Sequence, residues 1–225
     1  KFANIIAENV YENGILSSWA LACYNCAGDE YNKLSESQRE SYVDFKIKFL
    51  HDISVLYAKS NMFAEAISTT EGLIHFYNYE QLVDDQLGLF RCKLRLSQIY
   101  SRQGELDKSK QLLFDECIPQ LEMLFVQDKV TSGYYYAAAL YNASVHYYVS
   151  HDTDNFLKYS NKHKEVVNEL YRIEPRKYMY DLAYCYSFEG DYHVIDNNRA
   201  EAEKCLDKAH EIIKNDNHFS YMEIL

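Results

Sequence analysis

The chain has 225 residues, of which 48% are hydrophobic, and carries a formal net charge of −11, enough apolar material for one large or two small cored domains. Two prolines and seven glycines are too few for the many turns of an all-β protein, so long helices joined by short loops are expected. The acidity argues against nucleic acid or an anionic membrane surface as a partner, and no apolar stretch approaches the ~20 residues that span a bilayer.

Apolar residues recurring every three or four positions predict helices over 2–12 and 15–32, the second holding Cys23 and Cys26. That CxxC lacks the strand-to-helix setting of a redox motif and the second cysteine pair of a zinc site, so buried or inert thiols are expected. "SESQRE" at 35–40 supplies a capping-box start for a helix over 37–60, followed by one over 63–77. Helices over 81–103 and 106–126 flank Gly104, with Leu94, Ile99, Leu106 and Leu113 as apolar positions. Segments 131–150, 154–172, 176–189 and 199–214 complete the set. No linker rich in Gly, Pro or Ser divides residues 1–225, so a single continuous domain is expected. The chain opens at Lys1 without a methionine or a signal peptide, and "HFSYMEIL" at its end reads as the start of another helix. Both ends are therefore expected to be cuts through a longer protein.

A pattern recurs along these helices: a tyrosine, a turn residue about four positions on, and a small residue nine positions on. Tyr57 leads to Asn61 and Ala66, and Tyr100 to Gly104 and Ser109. Tyr147 leads to His151, with Phe156 where a small residue belongs. Tyr186 leads to Gly190 and, past an insertion "HVIDNN", to Ala202. Tyr11 with Gly14 heads a first copy. Small residues lie three positions before the anchors, at Ser54, Ser97, Ser144 and Ala183. Glycine or asparagine permits the left-handed residue that closes a helix, and small residues let two helices approach closely.

Through "LYAKSNMFAEAI", "IYSRQGELDKSKQLL" and "CYSFEGDYHVIDNNRAEAEKCL" the chain resembles the tetratricopeptide repeat family. Anchor spacings of 46, 43, 47 and 39 residues exceed the usual period of about 34. In that respect it looks like the divergent long repeats of bacterial regulatory and sensor proteins. The resemblance implies an all-α, right-handed superhelix, or α-solenoid, of about five helical hairpins. It also implies that the first helix of each hairpin lines a concave binding face.

On that face fall Arg91, Arg95, Gln98 and Arg102, which share one side of a helix; then Tyr141, Asn142 and Tyr148; then Lys177, Tyr180 and Tyr184. Arginine forks match carboxylates and tyrosine offers flat contact at low entropic cost, so this set suits a protein or peptide bearing acidic groups or a free C-terminal carboxylate. No catalytic motif accompanies it. "HEII" at 210–213 lacks the second histidine of a zincin helix, "DTDN" and "DNN" lack the spacing of a calcium loop, and no phosphate-cradling glycine loop or nucleophile elbow is present. The expectation is a non-catalytic binding module within a larger regulatory or sensor protein, with no cofactor and no metal, compatible with homo-oligomerisation. A bacterial signalling-peptide receptor domain with a closed pocket, linked to a transcription regulator, is the alternative. Six cysteines without a disulfide framework favour the cytoplasm, and a periplasmic sensor would require a removed signal peptide.

Overall fold

The computed structural model describes residues 17–79 and 85–214. Helices there are α1 (Ser17–Asn32), α2 (Glu36–Glu40), α3 (Val43–Lys59), α4 (Phe63–Tyr79) and α5 (Gln86–Gln103). They continue as α6 (Leu106–Lys110), a π-helical segment (Gln111–Cys117), α7 (Ile118–Gln127), α8 (Lys129–Val149), α9 (Thr153–Ile173), α10 (Pro175–Ile195) and α11 (Arg199–Ile213). The described residues are all-α, and consecutive helices pack against one another. The chain divides into two compact units, Lys1–Asp115 and Glu116–Leu225. None of the six cysteines is disulfide-bonded, and no described helix is long and apolar enough to cross a membrane. The helix expected over 2–12 and the copy headed by Tyr11 lie outside the described residues.

Four hairpin turns share one hydrogen-bond pattern. Asn61, Gly104, His151 and Asn197 have φ of 59°, 90°, 58° and 56°, the left-handed conformation. In each turn the next residue's N–H reaches back five positions: Met62 to Tyr57, Glu105 to Tyr100, Asp152 to Tyr147 and Asn198 to His193. The left-handed residue itself donates three positions back, to Ala58, Ser101, Tyr148 and Val194. This is the Schellman closure, which satisfies the carbonyls orphaned at a helix end. The residue that completes it is also the N-cap of the next helix, since Ala66, Ser109, Phe156 and Ala202 donate to the carbonyls of Met62, Glu105, Asp152 and Asn198. Asp152 and Asn198 add side-chain caps to Asn155 N and Glu201 N.

This pattern corrects the last repeat. Gly190 is not the turn: α10 runs on to Ile195, and Gly190 is buried within it. The anchor is His193, not Tyr186. Gly190 then takes the place three residues earlier that Ser54, Ser97 and Ser144 hold in the other hairpins, and Ala202 follows nine residues later without any insertion. Tyr57, Tyr100, Tyr147 and His193 are spaced 43, 47 and 46 residues apart, more evenly than the sequence pattern alone implied. A sequence reading takes glycine as the turn signal, whereas here asparagine supplies the left-handed residue and glycine the close approach.

Where helices cross, small side chains meet. Ser97 Oγ lies 3.2 Å from Ser109 Oγ and donates to the Ser109 carbonyl at 3.1 Å. Ser54, Ala66 and Ser144 are fully buried. Around the first turn Ala58, Ala66 and Ile99 form one apolar cluster, while Tyr24, Ile53 and Leu56 join α1 to α3. Ala183, Ala209 and Ile213 close α10 on α11.

The single helix expected over 37–60 is two. Ser35 caps α2 with Gln38 closing the capping box, and Ser41 Oγ donates back to the Gln38 carbonyl at 2.7 Å. The backbone leaves the helical conformation at Tyr42, with φ of −118° and ψ of 25°, before α3 begins.

Gly88, in the first turn of α5, faces the buried Tyr77 ring. A Cβ there would overlap Tyr77 and the Asp85 carboxylate, whose Oδ1 accepts from Gly88 N at 2.8 Å. Gly88→Ala is expected to cost about 1–3 kcal/mol through overpacking, read as a lower urea midpoint at unchanged slope.

Candidate functional site

The residues expected to line a partner face fall in both units. In the first, α5 presents Arg91, Arg95, Gln98 and Arg102 on one side. Arg95 Nη1 donates to the His51 carbonyl at 3.1 Å, and the Arg91 charge acts on the Tyr77 phenol. At the end of α5, Arg102 reaches Asn61 Oδ1 at 3.4 Å and lies over the Phe63 ring. The three arginines thus bind α5 to the preceding hairpin of α3 and α4. Gln98 and Arg102 are exposed, while Arg91 and Arg95 are half-buried.

Beneath them His51 packs by Cys92, with His51 Nε2 3.7 Å from the Cys92 sulfur. Burial, helped by the Arg91 and Arg95 charges, pushes the His51 imidazole down to about 3. Burial likewise raises the Cys92 thiol to about 12, leaving it protonated and inert.

In the second unit, α8, α9 and α10 surround a cleft of about 200 Å³. Tyr134, Ala137, Ala138 and Tyr141 of α8 line it, a set spaced three, four and seven apart and so on one helix face. His163 and Val167 come from α9, and Tyr178, Asp181 and Tyr184 from α10. The Tyr141 and Tyr184 hydroxyls are 2.9 Å apart, with their rings edge to face at 5.7 Å. Phe188 stacks on Tyr184 and contacts Tyr141 and Tyr148, extending the aromatic surface. Partial burial raises the Asp181 carboxyl above its ordinary value. Burial first, and then the bond to Tyr141, hold the Tyr184 phenol far above its own. His163, buried at the floor, sits 3.5 Å by Nδ1 from the Cys185 sulfur and is pushed down to about 4 by burial.

The structure therefore brings Tyr141 and Tyr184 together in one wall and places Tyr148 on the same aromatic surface. Tyr180 is exposed on α10, and Lys177 pairs with Glu174 at 2.9 Å in its first turn. Asn142 is half-buried, its Nδ2 without a hydrogen-bond partner among the described residues. Sequence reasoning did not single out Tyr134, Tyr178, Asp181 or His163. The first three were within reach, since Tyr134 lies seven positions before Tyr141, Asp181 three before Tyr184, and Tyr178 three before Asp181. His163 was not, because it comes from the second helix of a hairpin. Glu189, His193 and Cys205 form a further cluster of possible metal ligands.

No protein-family description matches the chain, and neither does any curated protein. Among solved structures the chain is similar to the crystal structure of BtubC (BKLC) from P. vanneervenii. The match has 15% identity and a TM-score of 0.68, over 99% of this chain and 82% of that one. At that identity the likeness bears on the fold alone.

Proposed function

We propose that the chain is a non-catalytic binding module, a divergent relative of tetratricopeptide-type helical repeats, that captures a protein or peptide by one of its side chains. The observation that carries this reading is the tyrosine-walled cleft with Asp181 at its edge. At about 200 Å³ it is smaller than the roughly 300–1,000 Å³ of typical small-molecule pockets and matches one amino-acid side chain. Four tyrosine rings and a carboxylate form an environment that attracts a cation by its π-faces and its charge. A net charge of −11 adds long-range attraction for a basic guest. The four equivalent Schellman turns, 43 to 47 residues apart, support the repeat assignment. The same cleft would serve a receptor for short signalling peptides.

An acidic guest on α5 is the second reading, favoured by the exposure of Gln98 and Arg102. Charge reversal at Arg91 or Arg95 would not test it cleanly, because both hold α5 to its neighbours.

The test is calorimetric binding of an array of short lysine- or arginine-bearing peptides beside acidic peptides of equal length. Basic peptides are expected to bind, with about a tenfold or greater loss in Asp181→Asn and in Tyr184→Ala. Binding confined to acidic peptides and lost in Arg102→Ala would move the site to α5.

A further inference from the structure

We infer that Glu189 and His193 of α10 and Cys205 of α11 form a site for a divalent transition metal of borderline softness, zinc being the fitting ion. Their ligand atoms all lie within 4.8 Å of one another. Glu189 and His193 are four residues apart and project from one face across a single helical turn. Cys205 meets them from the other arm of the hairpin, where α11 packs over Gly190 with the Cys205 Cβ at contact distance from the position a Cβ there would take, 3.5 Å.

A second observation points to a ligand. Nδ1 of His193 is buried and has no hydrogen-bond partner among the described residues. An unpaired buried ring nitrogen is costly, and a coordinated metal would satisfy it. His193 also stands where the three preceding hairpins carry tyrosine. A tyrosine would serve the turn equally well there, because only the backbone carbonyl takes part in it.

The donor set selects the ion. One oxygen, one nitrogen and one sulfur suit zinc, whereas calcium and magnesium take oxygen ligands. With Zn–S about 2.3 Å and Zn–N about 2.0 Å, ligand atoms around a tetrahedral ion sit roughly 3.5 Å apart, so the three side chains need to close by roughly 1 Å. On binding, the Cys205 thiol releases its proton to solvent as the sulfur–metal bond forms, and no group changes oxidation state. Glu189 exchanges the Lys164 ammonium, now 2.7 Å from its Oε2, for the metal. Three protein ligands leave a fourth position for water or for an atom of a bound molecule.

Cobalt(II) is the probe, added to metal-stripped protein and followed by absorption. The wild type is expected to develop a thiolate-to-cobalt charge-transfer band and tetrahedral d–d absorption. Cys205→Ser should abolish the charge-transfer band, and Glu189→Gln should weaken binding by about tenfold or more. Lys164→Gln should tighten it, because the competing ammonium is gone. Zinc should raise the melting temperature of the wild type and not of Cys205→Ser, with circular dichroism confirming that each variant is folded. Cys23→Ser with Cys26→Ser should leave the band in place. A wild type without the band, a band that survives Cys205→Ser, or one lost with Cys23 and Cys26 would each overturn the site.

Discussion

Replacing Phe156 by alanine is expected to cost about 3–5 kcal/mol, the usual penalty for emptying a buried aromatic position. Phe156 is 2% exposed and stands where the other hairpins carry Ala66, Ser109 and Ala202. At this crossing of α8 and α9 a large ring takes the place of the small residue. Phe156 fills the space and meets Tyr148 of α8 and both Phe188 and Tyr192 of α10, with centroids 5.6, 5.5 and 4.8 Å away. One ring therefore joins three helices, and alanine would leave a cavity that a single helix shift does not close. Urea unfolding followed by circular dichroism checks this. A loss below about 1 kcal/mol would show that the surrounding helices can close over the vacated space.

Acidification is expected to weaken both units, each through one buried histidine. His51 in the first and His163 in the second are neutral when folded, with their imidazoles pushed down to about 3 and about 4, chiefly by burial. In the unfolded chain both titrate near their ordinary value of about 6.5. Below that pH the unfolded chain takes up a proton that the folded chain does not, so stability falls as pH falls. The slope is about 1.4 kcal/mol per pH unit for each histidine. Their contribution is fully present above about pH 6.5. It declines until His163 protonates in place near pH 4 and His51 near pH 3. At pH 5 each is expected to have removed about 2 kcal/mol. Urea midpoints at pH 7.5 and 5 measure the loss. His163→Gln should flatten the dependence of the second unit and leave that of the first; equal slopes in wild type and variant would assign acid sensitivity to other groups.

Much of the helical framework was legible because its signals are local. Apolar spacing placed α8 and α9 within two residues of their observed ends, and the left-handed turns at Asn61, Gly104 and His151 fell where expected. The last hairpin was misread for a physical reason. Glycine serves both left-handed turns and close helix contact, and at Gly190 it serves the second. The interruption at Tyr42 was hidden because it is a single non-helical backbone setting with no glycine or proline to mark it. Of the partner face, the shared side of Arg91, Arg95 and Arg102 was readable from their spacing, but which neighbour they meet was not. Helix periodicity says which residues point together and nothing about what stands opposite. For the same reason the cleft emerged only when α9 and α10 could be set beside α8. The cluster of Glu189, His193 and Cys205 likewise spans two helices, and in the sequence it shows only as an unremarkable i, i+4 pair.

The fusion of helix end and helix start in a single residue at Met62, Glu105, Asp152 and Asn198 bears on how such a chain can change length over evolutionary time. A turn with no spare residue has no room for insertions or deletions; adding one would break both the closing bond and the opening cap. The differences among intervals of 43, 47 and 46 residues must then be absorbed along the helices or in the connections between hairpins. The π-helical run Gln111–Cys117 lies in the longest of these intervals, between Tyr100 and Tyr147. A wider helical turn takes up additional residues while keeping the backbone bonded, so an insertion there can survive as a local change of pitch. Lineages of this chain should therefore keep the four turns at fixed length and vary where the helix is already overwound with residues.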